Sequence, residues 1–303
     1  MDQESGRILY SKNIYEVRSV ASISKIMTAV LAIESGKLDD KVLIKPDMIK
    51  THGSSIYLSV GEEITLRNLV YGLLLRSGND ASLAIADYLY GREKFVSKMN
   101  EKAKKIGMKN TIFYNPHGLD DDGEKGNYST AYDMAILMKY ANNLFDFREI
   151  DSTKYIMVQT NLKTYTWYNK NKLLTSYRYA NGGKTGYTGK AKRTLVTSAS
   201  NDNANLIVVT FVDRDAFNTH KRLYEYGFNN YRNYMVLNKN KIKFKNKKLY
   251  IRNNYYYLMS NNERENITYN INYYKKKNRN NQAGYIEVFY KNKSVHKEYI
   301  YSK

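Results

Sequence analysis

The change of hydrophobic period along the chain constrains its fold more than any other feature. From Ser22, apolar residues at Ile23, Ile26, Met27, Val30 and Leu31 follow the helical spacing i, i+3, i+4, i+7, i+8, and Gly36 stops the segment. Thr65 is placed to cap a second helix carrying Leu66, Leu69, Val70, Leu73 and Leu74. Ser77-Gly78-Asn79 interrupts it as a glycine turn before a third helix through Leu83, Ile85 and Ala86. Another helix is expected over roughly Thr130 to Asn142. The runs "RTLVTSAS" and "NLIVVTFVD", parted by Asn201-Asp202-Asn203, then read as an antiparallel hairpin, with Lys184-Thr185-Gly186 on a strand just before it. A short helical segment covers Lys221–Tyr226. Beyond it, pieces such as "KIKFKNKKLYI" and "GYIEVFY" are β-like, so a domain boundary is placed near Asn229–Tyr231, giving domains 1–229 and 230–303. "RILYSKN" near the start reads as a strand and turn. The pattern predicts a mixed α/β domain followed by a small β-rich one.

Composition narrows the chemistry. With 303 residues and 42% hydrophobic content the chain can bury a real core, and no apolar run is long enough to span a bilayer. The absence of cysteine excludes disulfides, thiolate metal sites and cysteine nucleophiles. The net charge of +20 is concentrated in residues 231–303, which hold 17 Lys/Arg against 4 Asp/Glu. Such a tail suits an anionic polymer or nucleic acid. Yet Lys, Asn, Tyr and Ile are abundant together, as adenine/thymine-rich coding produces, and no nucleic-acid partner is expected. The first residues, Met1 to Gly6, have neither the basic nor the apolar region of a signal peptide.

Ser22 and Lys25 form a Ser-x-x-Lys at a helix start. An alcohol attacks a carbonyl only if a base removes its proton, and a Lys three positions on lies on the same helical face, one turn away. A free Lys is only about 0.04% neutral at pH 7, and lowering its pKa by about 3 units requires about 4 kcal/mol of destabilised charge, from burial or a second cation. Taken alone, Ser22 reads as a helix N-cap. Ser294-Val295-His296-Lys297 also fits the spacing, but in a strand-like tail. Ser-x-Asn is weaker still, since Ser11-Lys12-Asn13, Ser77-Gly78-Asn79 and Ser260-Asn261-Asn262 all fit, whereas Lys184-Thr185-Gly186 is the one Lys-Thr-Gly. His117 in "NPHGL" reads as part of a structural turn, and "DDDGE" at Asp120–Glu124 lacks the acid spacing of a calcium loop. No metal or cofactor is called for.

The three motifs occur in the order and local context of penicillin-recognising serine enzymes. Over residues 6 to about 231 the sequence resembles the D-alanyl-D-alanine carboxypeptidases, the small penicillin-binding proteins of peptidase family S11. The likeness is carried by "ASISKIMTAVLAIESGKLDD", "SSIYLSVGEEITLRNLVYGLLLRSGNDASLAIADY", "NPHGLDDDG", "YSTAYDMAILMKYA", "NKNKLL" and "NGGKTGYTGKAKRTLV". It implies a β-lactamase/DD-peptidase-like α/β fold: a central antiparallel sheet flanked by helices, an all-helical subdomain and a small C-terminal β-domain.

The resemblance also implies roles. Ser22 would be the nucleophile on the carbonyl between two D-alanines and Lys25 its general base. Ser77 would relay a proton toward the leaving D-alanine, and Asn79 would bind the substrate amide and help hold Lys25. Lys184 would depress the Lys25 pKa and, with Thr185, bind the terminal carboxylate. Gly186 would let the strand approach closely, and the backbone N–H groups of Ser22 and Tyr187 would form an oxyanion hole. The implied partners are a peptidoglycan stem peptide ending in D-Ala-D-Ala and, as covalent inhibitors, β-lactams, in an extracytoplasmic setting.

Two departures stand out. Ala191-Lys192 replaces the usual Ala-Gly after the third motif, and the strand and signal peptide that precede Gly6–Tyr10 in the family are not in this sequence, so a start placed at an internal methionine is expected. The family's amphipathic membrane anchor is likewise not visible. A serine β-lactamase is the alternative enzyme, though no Glu-x-x-x-Asn for a deacylating water lies between Ser77 and Lys184; a non-catalytic wall-binding protein is the other alternative.

Overall fold

The computed structural model describes residues 1–120, 125–240, 249–276, 278, 280 and 281–302. Most of the "DDDGE" turn and residues 241–248 of "KIKFKNKKLYI" lie outside the described residues. The chain divides into two compact units. The first comprises Met1, Ile8–Ser200 and Asn205–Glu225; the second comprises Asp2–Arg7, Asn201–Ala204 and Tyr226–Lys303.

In the first unit, helices α1 (Lys25–Glu34), α2 (Leu66–Tyr71), α3 (Asn79–Leu89), α4 (Arg92–Ile106), α5 (Ala131–Ala141) and α6 (Phe145–Ser152) surround one apolar core, with a short α7 at Leu173–Ser176. Helix α1 is buried along its length, so its apolar pattern serves contacts on several sides. Thr65 caps α2 by accepting from the Asn68 N–H at 3.2 Å, and Thr130 caps α5 by accepting from Asp133 N–H at 3.1 Å. The sequence reading missed α4. Its only buried side chains are Phe95, Met99 and Ala103, a single narrow stripe on a helix otherwise made of Lys, Glu and Asn.

Short two-stranded pairs join β1 (Arg18–Ser19) to β4 (Tyr128–Ser129) and β2 (Lys41–Leu43) to β3 (Glu63–Thr65). A hairpin, β5 (Tyr155–Gln159) with β6 (Thr164–Tyr168), follows α6. The main sheet is antiparallel, ordered β7 (Ala180–Thr188), β8 (Lys192–Ser200), β9 (Asn205–Phe211), so β7 is an edge. Val196 and Ile207 face the main core. On the opposite face Thr197 is bonded to His220 and Tyr224 of α8 (Ala216–Asn230). Helices therefore cover both sides of the sheet. Among the described residues no helix is long and apolar enough to cross a membrane.

The strand expected at Arg7–Tyr10 does not form. A strand needs a neighbour for its ladder, and the bridging near the N-terminus falls on Met1 and Asp2, with Met1 bonded to Ile207 at 2.8 and 2.9 Å, rather than on Arg7–Tyr10. Arg7 instead belongs to the second unit. Its guanidinium donates to the Leu258 carbonyl and to Glu263 Oε1, each at 2.6 Å, and sits over the rings of Tyr290, Tyr231 and Tyr257 at 4.6, 5.5 and 5.5 Å. Burial of the Glu263 carboxyl works against its charge, but Arg7 and Tyr290 together hold it down to about 2. The unit's sheet runs β11 (Leu249–Ile251), β15 (Lys293–Ser302), β14 (Gln282–Tyr290), β13 (Ile267–Tyr273), beside a pair formed by β10 (Arg232–Leu237) and β12 (Tyr255–Met259). Its core is Leu237, Ile251, Ile286, Val288 and Ile300.

The Lys192 departure has a local structural meaning. Lys192 opens β8 with φ +58°, a left-handed conformation that glycine adopts without strain. Relief of about 1–2 kcal/mol of strain outweighs the roughly 0.5–1 kcal/mol of extra chain entropy that glycine brings. K192G is therefore expected to raise the stability measured by urea unfolding by up to about 1 kcal/mol; an unchanged or lowered midpoint would show that the turn bears no strain.

Candidate active site

The site is assembled where α1, α3 and β7 meet. Ser22 lies in a 3-10 turn, Ala21–Ser24, that runs into α1. The turn is pinned at its entry: Val20 N–H donates to the Asn127 carbonyl at 3.1 Å and Thr194 Oγ1 donates to the Val20 carbonyl at 3.0 Å. Ala21 is left-handed at φ +50°. Gly118 packs so closely beneath it that a Cβ there would stand 2.1 Å from the Ala21 carbonyl oxygen. Ser22 is not the helix cap that its position alone predicts. It sits before the helix proper, and its partly exposed hydroxyl lies 2.9 Å from Lys25 Nζ.

Lys25 is fully buried, and its Nζ has three neighbours: Ser22 Oγ at 2.9 Å, Asn79 Oδ1 at 2.7 Å and the His117 carbonyl at 2.6 Å. The Asn79 amide is oriented by its other end, where Nδ2 donates to the His52 carbonyl at 2.7 Å. Two of the three neighbours can thus only accept. A neutral amine has two N–H bonds and one lone pair, so with both protons given to Asn79 and His117 the lone pair points at the Ser22 hydroxyl. Burial is the main reason the Lys25 pKa falls well below its ordinary value; the positive charges of Lys184 and then Lys170 push it further down, against Asp80. The sequence reading gave Lys184 this task. Complete burial of the Lys25 side chain is the larger cause, with Lys184 second.

Ser77 and Asn79 are placed by an unusual helix end. Helix α2 widens into a π-turn, Gly72–Arg76, closed by Ser77 at φ +65°, ψ +34°. The left-handed residue is thus the serine and not Gly78, whose φ is −59°. Gly78 is required for space: a Cβ there would lie 2.9 Å from Asp80 Oδ1 and 3.1 Å from Ile56. Asp80 itself accepts from Ile56 N–H at 3.0 Å, Leu58 N–H at 3.1 Å and Ser55 Oγ at 2.5 Å, tying the 54–58 loop to the start of α3. Asn79 is thereby held from both sides.

On β7, Lys184 is buried and donates to Ser77 Oγ at 2.9 Å and to the Thr185 carbonyl at 2.8 Å. Its pKa is lowered to about 7, first by burial and then by Lys170, with Asp151 opposing. Gly186 faces the Ser22 turn; a Cβ on it would stand 2.4 Å from Thr194 Oγ1, 3.0 Å from Ser22 N and 3.1 Å from Ile23 N. Tyr187, next along the strand, is exposed. The structure therefore brings Ser22, Lys25, Ser77, Asn79, Lys184, Thr185 and Gly186 into one cluster, with Tyr187 adjoining.

His117 contributes its carbonyl rather than its ring. The ring is buried, which lowers its pKa to about 3 with help from the Lys25 charge, and its Nδ1 accepts from Leu119 N–H at 3.2 Å. Such an imidazole stays neutral at physiological pH. Asn115 shapes the turn by accepting from Gly118 N–H at 2.6 Å and His117 N–H at 3.2 Å. Sequence reasoning missed the His117 carbonyl, the Asp80 clamp and Lys170, whose Nζ donates to Ser54 Oγ at 3.1 Å. A carbonyl leaves no signature in sequence; Lys170 does lie within "NKNKLL", one of the stretches that carried the resemblance. Among the described residues no group of three or more His, Asp or Glu side chains could hold a metal ion.

The close approach at Gly186 can be tested. G186A is expected to destabilise the protein by about 1–3 kcal/mol through overpacking, and T194A added to it to recover part of that loss, both measured by urea unfolding. Equal stability of G186A and the parent would show that the approach is looser than described.

A protein-family model described as D-alanyl-D-alanine carboxypeptidase, peptidase family S11, matches residues 1–215. Among curated relatives, the D-alanyl-D-alanine carboxypeptidase DacF of Bacillus subtilis is 41% identical over 218 residues, covering 70% of this chain and 55% of DacF. DacC of Escherichia coli is 36% identical, covering 75% of this chain and 60% of DacC. The D-alanyl-D-alanine carboxypeptidase of Streptomyces sp. K15 is 37% identical, with 68% and 77% covered. The chain thus spans less than two thirds of the length of DacF and DacC. Among solved structures, penicillin binding protein 5 from Haemophilus influenzae superposes with a TM-score of 0.81 at 26% identity, covering 100% of this chain and 94% of that one. The Streptomyces K15 DD-transpeptidase gives 0.70 at 33% identity, covering 76% and 95%. Penicillin binding protein 5 shares the mixed α/β architecture over the whole chain, including the C-terminal β-unit, whereas the K15 enzyme matches over about three quarters of it.

Proposed function

The chain belongs to peptidase family S11, the D-alanyl-D-alanine carboxypeptidases, and we propose that it removes the terminal D-alanine from peptidoglycan stem peptides through an acyl-enzyme on Ser22. The observation that carries this reading is the environment of Lys25 Nζ: two fixed acceptors and one hydroxyl leave a neutral amine its lone pair for Ser22.

In the proposed reaction Ser22 Oγ attacks the carbonyl between the two D-alanines while its proton passes to Lys25. The backbone N–H groups of Ser22 and Tyr187 receive the developing oxyanion, the first at the entry to a helix. The C–N bond breaks as the leaving amine is protonated by way of Ser77, the proton that Lys25 accepted being returned. Water then attacks the ester with Lys25 again as base, releasing the shortened peptide. Lys184 has two acceptors, Ser77 Oγ and the Thr185 carbonyl, so an ammonium there has a third donor to offer the terminal carboxylate, beside the Thr185 hydroxyl. Asn79 binds the substrate amide and holds Lys25. A penicillin presents a comparable carbonyl and carboxylate, but its leaving nitrogen stays tethered, so the acyl-enzyme persists. Because the substrate is wall peptide, the protein would work outside the cytoplasmic membrane.

Fluorescent penicillin should label the protein covalently and fail to label S22A; a band of undiminished strength from S22A would refute the assignment. The labelling rate should fall toward acid as Lys25 takes up its proton. In K184Q, with one neighbouring cation removed, the Lys25 pKa rises, so the acid limb should move up by about one pH unit, with about a tenfold loss of rate at pH values below it. An unmoved limb would assign the depressed Lys25 to burial and Lys170 without Lys184.

A further inference from the structure

Asp151 takes no part in the reaction just described, yet it is a buried carboxyl placed against the strand that carries Lys184. It sits near the end of α6 and is only 2% exposed, and neither oxygen has a hydrogen-bond partner. Gly182 makes room for it: a Cβ there would lie 2.3 Å from Asp151 Oδ2. The Gly183 N–H is near enough to favour the charged form but outside hydrogen-bond geometry. An uncompensated buried carboxylate is unfavourable, so a nearby cation or a proton must neutralise it.

The groups around it leave few choices. From β7 the charged neighbour is Lys184, which the Asp151 charge stabilises. Lys170, after β6, and Lys25, on α1, add positive charge around Lys184 rather than around Asp151. On α6 itself Asp146 pairs with Arg67 of α2, Arg148 donates to the Asn142 carbonyl, and Glu149 accepts from Tyr71 of α2. Arg76, at the end of the π-turn, donates to the Tyr168 carbonyl. Asp151 is left with Lys184.

We propose that Asp151 is a positioning residue for ligand binding: it holds Lys184 in the ammonium form while the site is empty and takes up a proton when a ligand carboxylate reaches Lys184. This rests on the proposed role of Lys184 as the carboxylate anchor. Before binding, the pair shares one proton, as carboxylate and ammonium. The ligand brings a second anion to Lys184, and Asp151, losing the exclusive use of that cation, binds one proton from solvent. Burial lifts the Asp151 carboxyl to about 7 and drops Lys184 to about 7, so the exchange falls within the neutral range.

The test uses the full chain with D151N and D151S, two variants in case one fails to fold, and reads two quantities. Lysine labelled with carbon-13 at Cε reports Lys184 directly by NMR. Without the anion its titration midpoint should move down by about one pH unit, and an unmoved midpoint in both variants would overturn the proposal whatever the protein's activity. For penicillin labelling, the alkaline limb should move down by the same amount, giving about a tenfold loss at pH 8 and less than about threefold at pH 6. A loss equal at all pH values would mark Asp151 as merely structural. Failure of wild-type labelling at Ser22 would instead count against the functional reading, with the NMR result still deciding the Asp151 pairing.

Discussion

The site depends on keeping one ammonium-bearing side chain out of water. Lys25 is enclosed by α1, the Asn79 amide and the His117 carbonyl, and that enclosure separates its basicity from that of a surface lysine. Each wall of the enclosure has its own support. Asp80 and the His52 carbonyl fix Asn79; Asn115 and Gly118 fix the turn that presents the His117 carbonyl; Thr194 and Asn127 fix the turn that presents Ser22. Removing any acceptor would leave a buried donor short of a partner, at about 1–3 kcal/mol. This ties the stability of the core to the chemistry of the site.

Lys184 extends the same logic to β7. It is as deeply buried as Lys25, but its surroundings differ: one hydroxyl, one carbonyl and, at longer range, the charge of the Asp151 carboxyl packed against Gly182 of the same strand. Two lysines in one cluster are thus given opposite tasks by environment. Lys25 Nζ meets a hydroxyl, an amide and a carbonyl, and its pKa falls well below the ordinary value despite Asp80; Lys184, with Asp151 opposing its burial, is lowered to about 7.

Much of this was legible in the sequence, and the limits are physical. The period of α1, the threonine caps of α2 and α5, and the β8–β9 hairpin were readable because local pattern and tertiary role agree there. Helix α4 was not, because its apolar stripe is three residues wide in a charged sequence, and the strand expected at Arg7–Tyr10 failed because strand formation depends on a partner that pattern alone does not supply. The three motifs named side chains that the structure brings into one cluster. They could not show that Ser77, rather than Gly78, takes the left-handed turn, since that is fixed by the π-turn before it and by Ile56 and Asp80 around the glycine. Asp151 was invisible for a similar reason: an acid in "REIDS" looks like any helix-end acid until its burial is known.

The cage around Arg7 has a consequence for the autonomy of the C-terminal unit. Glu263 and the rings of Tyr231, Tyr257 and Tyr290 are all organised by a residue from the first seven of the chain. A fragment beginning at Tyr226 would keep the β-sheets but lose the guanidinium at their centre, leaving a carboxylate among tyrosine rings without its cation. The second unit is thus compact in space but discontinuous in sequence, and any excised version would need the Asp2–Arg7 segment restored, by a linker or as a separate peptide, to be the same object.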